Sequence, residues 1–282
     1  MIIWLASYPK SGNTWLRFFI LSLIFGNKGE INLDQLKNIE QFPSKSQFTN
    51  MGINLKDLRE ISKNWINVQK KINLSKKIRF YKTHNTLCKI DNNFFTDQNN
   101  TLGTIYIVRD PRNVITSVKN HFNYKTYDET KEFMFDEKRV ILLSKSMEKK
   151  DHPLPQLIGS WQTHYITWKI ATKNYLLVKY EDMISDTKKE IFKIVDFLSS
   201  YFKFNKSENI INEIIKNTSF ENLKDLENKG KFKGNSINKI TGKKNTFFNL
   251  GPKNNWRKLL KKENIIKIEK IFSKEMRELG YL

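Results

Sequence analysis

The chain has one cysteine, Cys88, in 282 residues, so no intrachain disulfide can form. A lone thiol fits a reducing compartment, and the cytoplasm is the expected location. Prolines number six and glycines eleven, they sit mostly at loops, and no Pro/Gly/Ser-rich linker or internal repeat divides the chain. One domain over residues 1–282 with a substantial core is therefore expected. Long apolar runs are missing too: Phe18 to Phe25 is eight residues, far short of the roughly 20 that cross a bilayer. No basic segment precedes Ile2 to Ala6 and no small-residue cleavage site follows Phe25, so neither a secretory leader nor a membrane span is expected. No His, Cys or carboxylate constellation has ligand spacing, and no metal is expected. Arginine is scarce, 8 against 42 lysines, in a chain of net charge +21. The basic residues are scattered (Lys76-Lys77, Lys149-Lys150, Lys188-Lys189, Lys261-Lys262) with no aromatic-interleaved stripe, which argues against nucleic acid as the partner. A positive field around a small anionic ligand remains compatible with that charge.

What is present is a set of short apolar runs, Ile2 to Ser7, Ile78 to Lys82, Leu102 to Val108 and Tyr175 to Lys179, each followed by a polar turn. Segments of helical period lie between and after them, at Trp15 to Phe25, Leu55 to Ile72, Asn113 to Phe122, Ile158 to Thr172 and Lys188 to Leu198. Continuous apolar strands alternating with long helices predict an α/β fold with a parallel sheet covered on both faces. Ligands of such sheets gather at the carboxyl ends of the strands.

The polar clusters fall at those ends. After the first strand comes Tyr8-Pro9-Lys10-Ser11-Gly12-Asn13-Thr14-Trp15. Pro9 stops the strand, Gly12 lets the backbone turn, and the amides of Asn13, Thr14 and Trp15 then face an anion at a helix N-terminus. Lys10, Ser11 and Thr14 add charge and hydroxyls. A Walker A loop carries its Lys after the second Gly, whereas Lys10 precedes the only Gly here, so ATP hydrolysis is a poor fit. The second strand ends in Lys82-Thr83-His84. The third delivers Arg109 at its tip, with Asp110 and Pro111 in N-cap and N1 positions and Ser117 two turns into the helix. A fourth cluster, Val178-Lys179-Tyr180-Glu181-Asp182-Met183, again runs from strand to helix. Each has an ordinary structural reading: a surface turn, a hydrogen-bonding His, an Arg-Asp pair at a helix cap, an acidic N-cap.

Taken in order, these motifs with Asn217-Thr218-Ser219-Phe220 and the closing Met276-Arg277-Glu278-Leu279-Gly280-Tyr281-Leu282 resemble the cytosolic-type sulfotransferases. That family uses 3′-phosphoadenosine 5′-phosphosulfate (PAPS) as donor. The resemblance covers nearly the whole chain and implies a P-loop-like three-layer domain with a central parallel sheet flanked by helices. It implies that Lys10, Ser11, Gly12, Asn13, Thr14 and Trp15 hold the 5′-phosphosulfate. Trp15 and Phe220 would pack on the adenine, with Tyr180 and Thr218 nearby, and Arg109 and Ser117 would bind the 3′-phosphate. His84 matches the family's catalytic base and Lys82 the lysine beside it. Ser117 would hold Lys10 aside until an acceptor arrives.

One departure stands out. The family carries Arg-Lys-Gly in a late loop with a Trp five residues beyond; here Gly251 and Trp256 keep that spacing, while Asn249 and Leu250 replace the two cations. By that resemblance up to two charge-assisted contacts to the 3′-phosphate, each worth about 1.5–3 kcal/mol, are removed; Lys243, Lys244, Lys253 or Arg257, in the same loop region, could compensate. The resemblance implies sulfuryl transfer from PAPS to a hydroxyl or amine, leaving adenosine 3′,5′-bisphosphate. The rivals are a kinase-like P-loop phosphotransferase and an inactive relative that binds the nucleotide alone. Acceptor identity is not readable: segments 85–100, 123–155 and 229–245 carry aromatics such as Phe94, Phe95, Tyr124 and Tyr127, which suit small molecules, glycans or lipids alike. Phe133-Met134-Phe135 reads equally as core or as acceptor contact. Oligomeric state is left open.

Overall fold

Five consecutive buried residues, Ile2-Ile3-Trp4-Leu5-Ala6, form strand β1 (Ile2–Ala6), as a strand covered on both faces requires. Beside it run β2 (Ile39–Gln41), β3 (Arg79–Thr83), β4 (Thr101–Val108) and β5 (Tyr175–Lys179), in the spatial order β2-β3-β1-β4-β5. Strand β1 pairs in parallel with β3, from Ile2 opposite Arg79 to Ala6 opposite Thr83, and with β4, where Ala6 faces Tyr106. Strand β2 pairs in parallel with β3. The fold is the expected α/β one, a central parallel sheet with flanking helices. This computed structural model describes residues 1–26, 33–142, 152–171, 173–232, 242 and 245–282.

The residues group into two compact units, each assembled from three stretches. The first takes Met1–Tyr8, Lys37–Val108 and Asp136–Val178 and contains the sheet. Its core centres on Trp4, whose ring lies 5.3 Å from Phe42, 5.3 Å from Phe95 and 6.3 Å from Trp168. Trp65 of helix Leu58–Asn73 meets Phe95 edge-on at 5.2 Å. That helix starts at Asp57, whose carboxylate accepts from Arg59 N, and buries Ile61, Trp65 and Val68 at helical spacing. Trp168 of helix Trp161–Ala171 donates its indole N–H to Asn85 O at 2.9 Å, which satisfies the one polar atom of a fully buried ring.

The second unit, Pro9–Leu36, Arg109–Phe135 and Lys179–Leu282, is mostly helical. Helix Asn13–Ile24 buries Leu16, Phe18, Phe19, Ile20 and Leu23. Helix Pro111–Phe122 begins as its sequence demands, with Asp110 accepting from Arg112 N and Pro111 at N1. Phe18, Leu223, Phe232 and Phe248 form an aromatic-rich core, with Trp15, Phe220 and Phe247 packed against it. In helix Tyr127–Phe135, Phe133 and Met134 are buried and Phe135 packs edge-on against Phe272 at 5.3 Å, so this stripe is core. Among the described residues no helix is long and apolar enough to cross a membrane.

Candidate active site

The loop after β1 turns through two left-handed residues, Lys10 at φ 69° and Gly12 at φ 105°. Gly12 is the N-cap of helix Asn13–Ile24 and offers no side chain to the first-turn amides, which have no partner inside a helix. Ser11 is wholly buried, and its Oγ makes no hydrogen bond among the described residues. A buried hydroxyl left unsatisfied is unfavourable by about 1–3 kcal/mol. An anionic oxygen at this turn would satisfy it, together with the amides. Asn13 is buried, and Thr14 and Trp15 are half-buried.

Arg109 follows β4 and is 6 % exposed. Its Nη1 donates to Lys10 O and to Ser117 Oγ, each at 3.3 Å, so one guanidinium ties the Gly12 loop to the helix that follows β4. The same guanidinium lies 4.1 Å above the Tyr180 ring, and Trp15 meets that ring edge-on at 5.7 Å. Lys10, Trp15, Arg109, Ser117 and Tyr180, drawn from three distant stretches of sequence, are thus brought together in the second unit. Burial pushes the Tyr180 hydroxyl up, and the Arg109 charge opposes that.

Lys10 has another neighbour than the resemblance implied. Its ammonium sits 4.0 Å over the Phe247 ring, and no hydrogen bond joins it to Ser117. Burial, then the Arg109 charge, lowers its pKa to about 8, and Glu227 pulls the other way. Glu227 also accepts from the amides of Phe247 and Phe248, at 2.5 and 2.8 Å, and so fixes the ring beneath the ammonium. The aromatic face and the Glu227 charge together stabilise the ammonium.

Thr218 is buried and donates its hydroxyl to Ile214 O at 2.8 Å, at the end of helix Glu208–Asn217. Phe220 lies flat against Gly251, at φ 52°, where a Cβ would overlap its ring. Asn249 and Leu250 are exposed, as are Lys253 and Arg257; Arg257 stacks 4.2 Å over Trp256. Lys243 and Lys244 lie outside the described residues. Instead of a cation, this loop directs Asn254 inward, which no sequence signal marked. It is 7 % exposed and bonds Thr116 Oγ1, Asn113 O and Ser117 Oγ.

Asp110, Arg112 and Glu181 form a framework here. Arg112 forks onto Asp110 at 2.7 Å, reaches Glu269 at 2.5 Å and donates to Tyr281 O at 2.7 Å. Glu181 accepts from Asp110 N at 3.0 Å and Tyr281 OH at 2.8 Å. The helix-cap reading of the Arg-Asp pair therefore holds for Arg112, while Arg109 faces the Gly12 loop.

His84 and Lys82 belong to the first unit. Lys82 is half-buried near the carboxyl end of β3. His84, 8 % exposed, places Nδ1 2.7 Å from Ser7 O. A carbonyl oxygen only accepts, so Nδ1 carries a proton, and in the neutral ring the lone pair is then on Nε2. The His84 backbone is fixed from both sides: its N–H donates to Gln156 Oε1 at 2.9 Å, and its carbonyl accepts from His164 Nε2 at 3.1 Å. His164 Nδ1 in turn accepts from Tyr106 OH at 2.8 Å. Fully buried, His164 is held neutral, with its pKa lowered to about 3 by burial. Sequence reasoning missed it because it sits on the apolar face of its helix among Trp161, Tyr165 and Trp168.

The chain matches the sulfotransferase domain over residues 2–280 and belongs to that family. It is 26 % identical to flavonol 3-sulfotransferase of Flaveria bidentis, across 99 % of this chain and 82 % of the relative. It is likewise 26 % identical to sulfotransferase 2A1 of Macaca fascicularis, across 97 % and 83 %. Among solved structures it shares the fold of retinol dehydratase in complex with retinol and PAP, with a TM-score of 0.60 at 18 % identity over 98 % of this chain and 81 % of that one. It shares it also with mouse sulfotransferase SULT7A1 complexed with PAP, with a TM-score of 0.57 at 21 % identity over 98 % and 84 %.

Proposed function

We propose that the chain transfers a sulfuryl group from PAPS to a hydroxyl of a small acceptor molecule. The observation that carries this reading is Arg109: one buried guanidinium joins the Gly12 loop, Ser117 and Tyr180 beside an unsatisfied Ser11 hydroxyl. When bound, PAPS supplies a sulfuryl group on a phosphate leaving group. Ser11, the first-turn amides of Asn13, Thr14 and Trp15, and Lys10 receive the 5′ end. Arg109 and Ser117 receive the 3′-phosphate, and Trp15, Tyr180, Thr218, Phe220 and Gly251 surround the adenosine. Lys10 and Lys82 neutralise charge on the oxygen between phosphorus and sulfur as that S–O bond breaks, and the chain invokes no metal for this work. His84 Nε2 takes the acceptor proton as the new O–S bond forms. The Nδ1 contact with Ser7 O supports that role, since in the neutral ring it puts the lone pair on Nε2. Adenosine 3′,5′-bisphosphate is the product.

Relatives named for flavonols and a luciferin support a small hydroxylated acceptor, with glycans and lipids as the alternatives. Neither compact unit is a continuous piece of chain, which supports one domain over residues 1–282. The half-buried Cys88 thiol supports the cytoplasm as its location.

The test is radiolabelled PAPS with a panel of hydroxylated acceptors. The wild type labels at least one acceptor. His84→Ala lowers turnover by about a hundredfold or more while still binding adenosine 3′,5′-bisphosphate, and Lys10→Ala weakens both. Unchanged turnover in both variants overturns the assignment. A thermal shift with ATP and magnesium but none with the bisphosphate selects the kinase-like alternative. Bisphosphate binding without transfer to any acceptor selects the inactive relative.

A further inference from the structure

The loop that lacks the two cations supplies Asn254, whose hydrogen bonds define the state of Ser117. The Asn113 carbonyl, 2.9 Å from the Asn254 side-chain amide, can only accept, so the amide nitrogen must face it. That orientation puts Asn254 Oδ1 2.8 Å from Thr116 Oγ1, whose single hydrogen is shared between Oδ1 and Asn113 O, also at 2.8 Å. It also aims the second amide hydrogen at Ser117 Oγ, 3.2 Å away. Ser117 Oγ already receives Arg109 Nη1 at 3.3 Å. Both lone pairs of the hydroxyl are then occupied by donors, and among the described residues its own hydrogen is given to no acceptor.

We infer that Asn254 is a positioning residue that fixes Ser117 as a hydrogen-bond donor to the 3′-phosphate of the nucleotide. This rests on the reading that Arg109 and Ser117 face that phosphate. A serine in a helix ordinarily turns its hydrogen back onto a carbonyl of the preceding turn. Here Asn254 covers the Asn113 carbonyl, four residues before Ser117, and presents a donor to the serine oxygen. The hydroxyl hydrogen is driven outward, where an anion is the partner that suits it. The loop thus contributes a neutral orienting group where a direct cationic contact is absent.

The experiment compares the affinity for adenosine 3′,5′-bisphosphate with that for adenosine 5′-monophosphate, by calorimetry, in the wild type, Asn254→Ala, Ser117→Ala and the double variant. The ratio of the two affinities isolates the 3′-phosphate. Ser117→Ala is expected to lower it about tenfold and Asn254→Ala about three- to tenfold, with the double variant no lower than Ser117→Ala alone. Asn254→Asp, which keeps the acceptor for Thr116 but draws the serine hydrogen to itself, lowers the ratio further than Asn254→Ala. This near-isosteric variant decides the matter if the alanine variant does not fold. An unchanged ratio in the Asn254 variants, or equal weakening of both nucleotides, shows a purely structural asparagine and overturns the inference. Additive losses in the double variant overturn it as well, because Asn254 would then act without Ser117. A wild type that does not distinguish the two nucleotides instead removes the underlying assignment of the 3′-phosphate.

Discussion

His164 shows how one side chain links burial to pH. With its pKa lowered to about 3 by burial, against an ordinary value of 6.5, the folded protein keeps it neutral where the unfolded chain protonates it. Above pH 6.5 both states are neutral and the residue adds no pH dependence. Between about 6.5 and 3 the unfolded state binds the extra proton, so stability falls as pH falls, by up to about 1.4 kcal/mol per pH unit. Urea unfolding of the wild type and His164→Gln at pH 6.5, 5.5 and 4.5 tests this. The variant is expected to lose stability less steeply, by up to one proton, and parallel curves refute the assignment. Lys10 shows the opposite economy. Its ammonium stays on the Phe247 face and its backbone is left-handed, so positive charge is held at the turn beside Arg109, with the Glu227 charge opposing the cost of burial.

At the level of elements, the strand-to-loop junctions were legible because each has strong local chemistry: a breaker, a cap or a charged tip after a continuous apolar run. Predicted and observed elements agree within three residues: β5 matches its run end to end, and Leu55 to Ile72 became helix Leu58–Asn73 once Asp57 supplied the cap. Strand β2 was not legible, since three residues hold too little periodicity, and only pairing with Phe80, Tyr81 and Lys82 defines it. Helix Tyr127–Phe135 was legible only as an aromatic stripe. Asn254 stayed hidden because a polar residue in a Lys/Asn-rich loop carries no pattern; its meaning arises from three partners more than 130 residues away. The loop makes its own prediction. Gly251 is left-handed and lies under the Phe220 ring, so Gly251→Ala must displace the ring and strain the backbone. A loss of about 1–3 kcal/mol in chemical denaturation is expected, with weaker bisphosphate binding. Wild-type stability and affinity in this variant would show that the contact is dispensable.

Across the whole chain, the order of motifs was legible because they lie at strand ends, whereas their mutual geometry depends on a buried frame that no local pattern reveals. Arg112 is its centre, gripping Asp110, Glu269 and Tyr281 O. Arg112→Ala leaves buried Asp110 without its guanidinium, and a loss of about 3–5 kcal/mol is expected in equilibrium unfolding, with Arg112→Lys intermediate. A change under 1 kcal/mol would mean that the ion pair is merely tolerated. Against a total stability of about 5–15 kcal/mol, the expected loss is enough to populate unfolded chain. The interleaving of the two units carries a practical corollary for anyone recombining this protein. The chain changes unit at Tyr8/Pro9, Leu36/Lys37, Val108/Arg109, Phe135/Asp136 and Val178/Lys179. Any single cut between Lys10 and Val178 therefore divides both units at once, and grafting the second unit onto a foreign scaffold would take three separate splices.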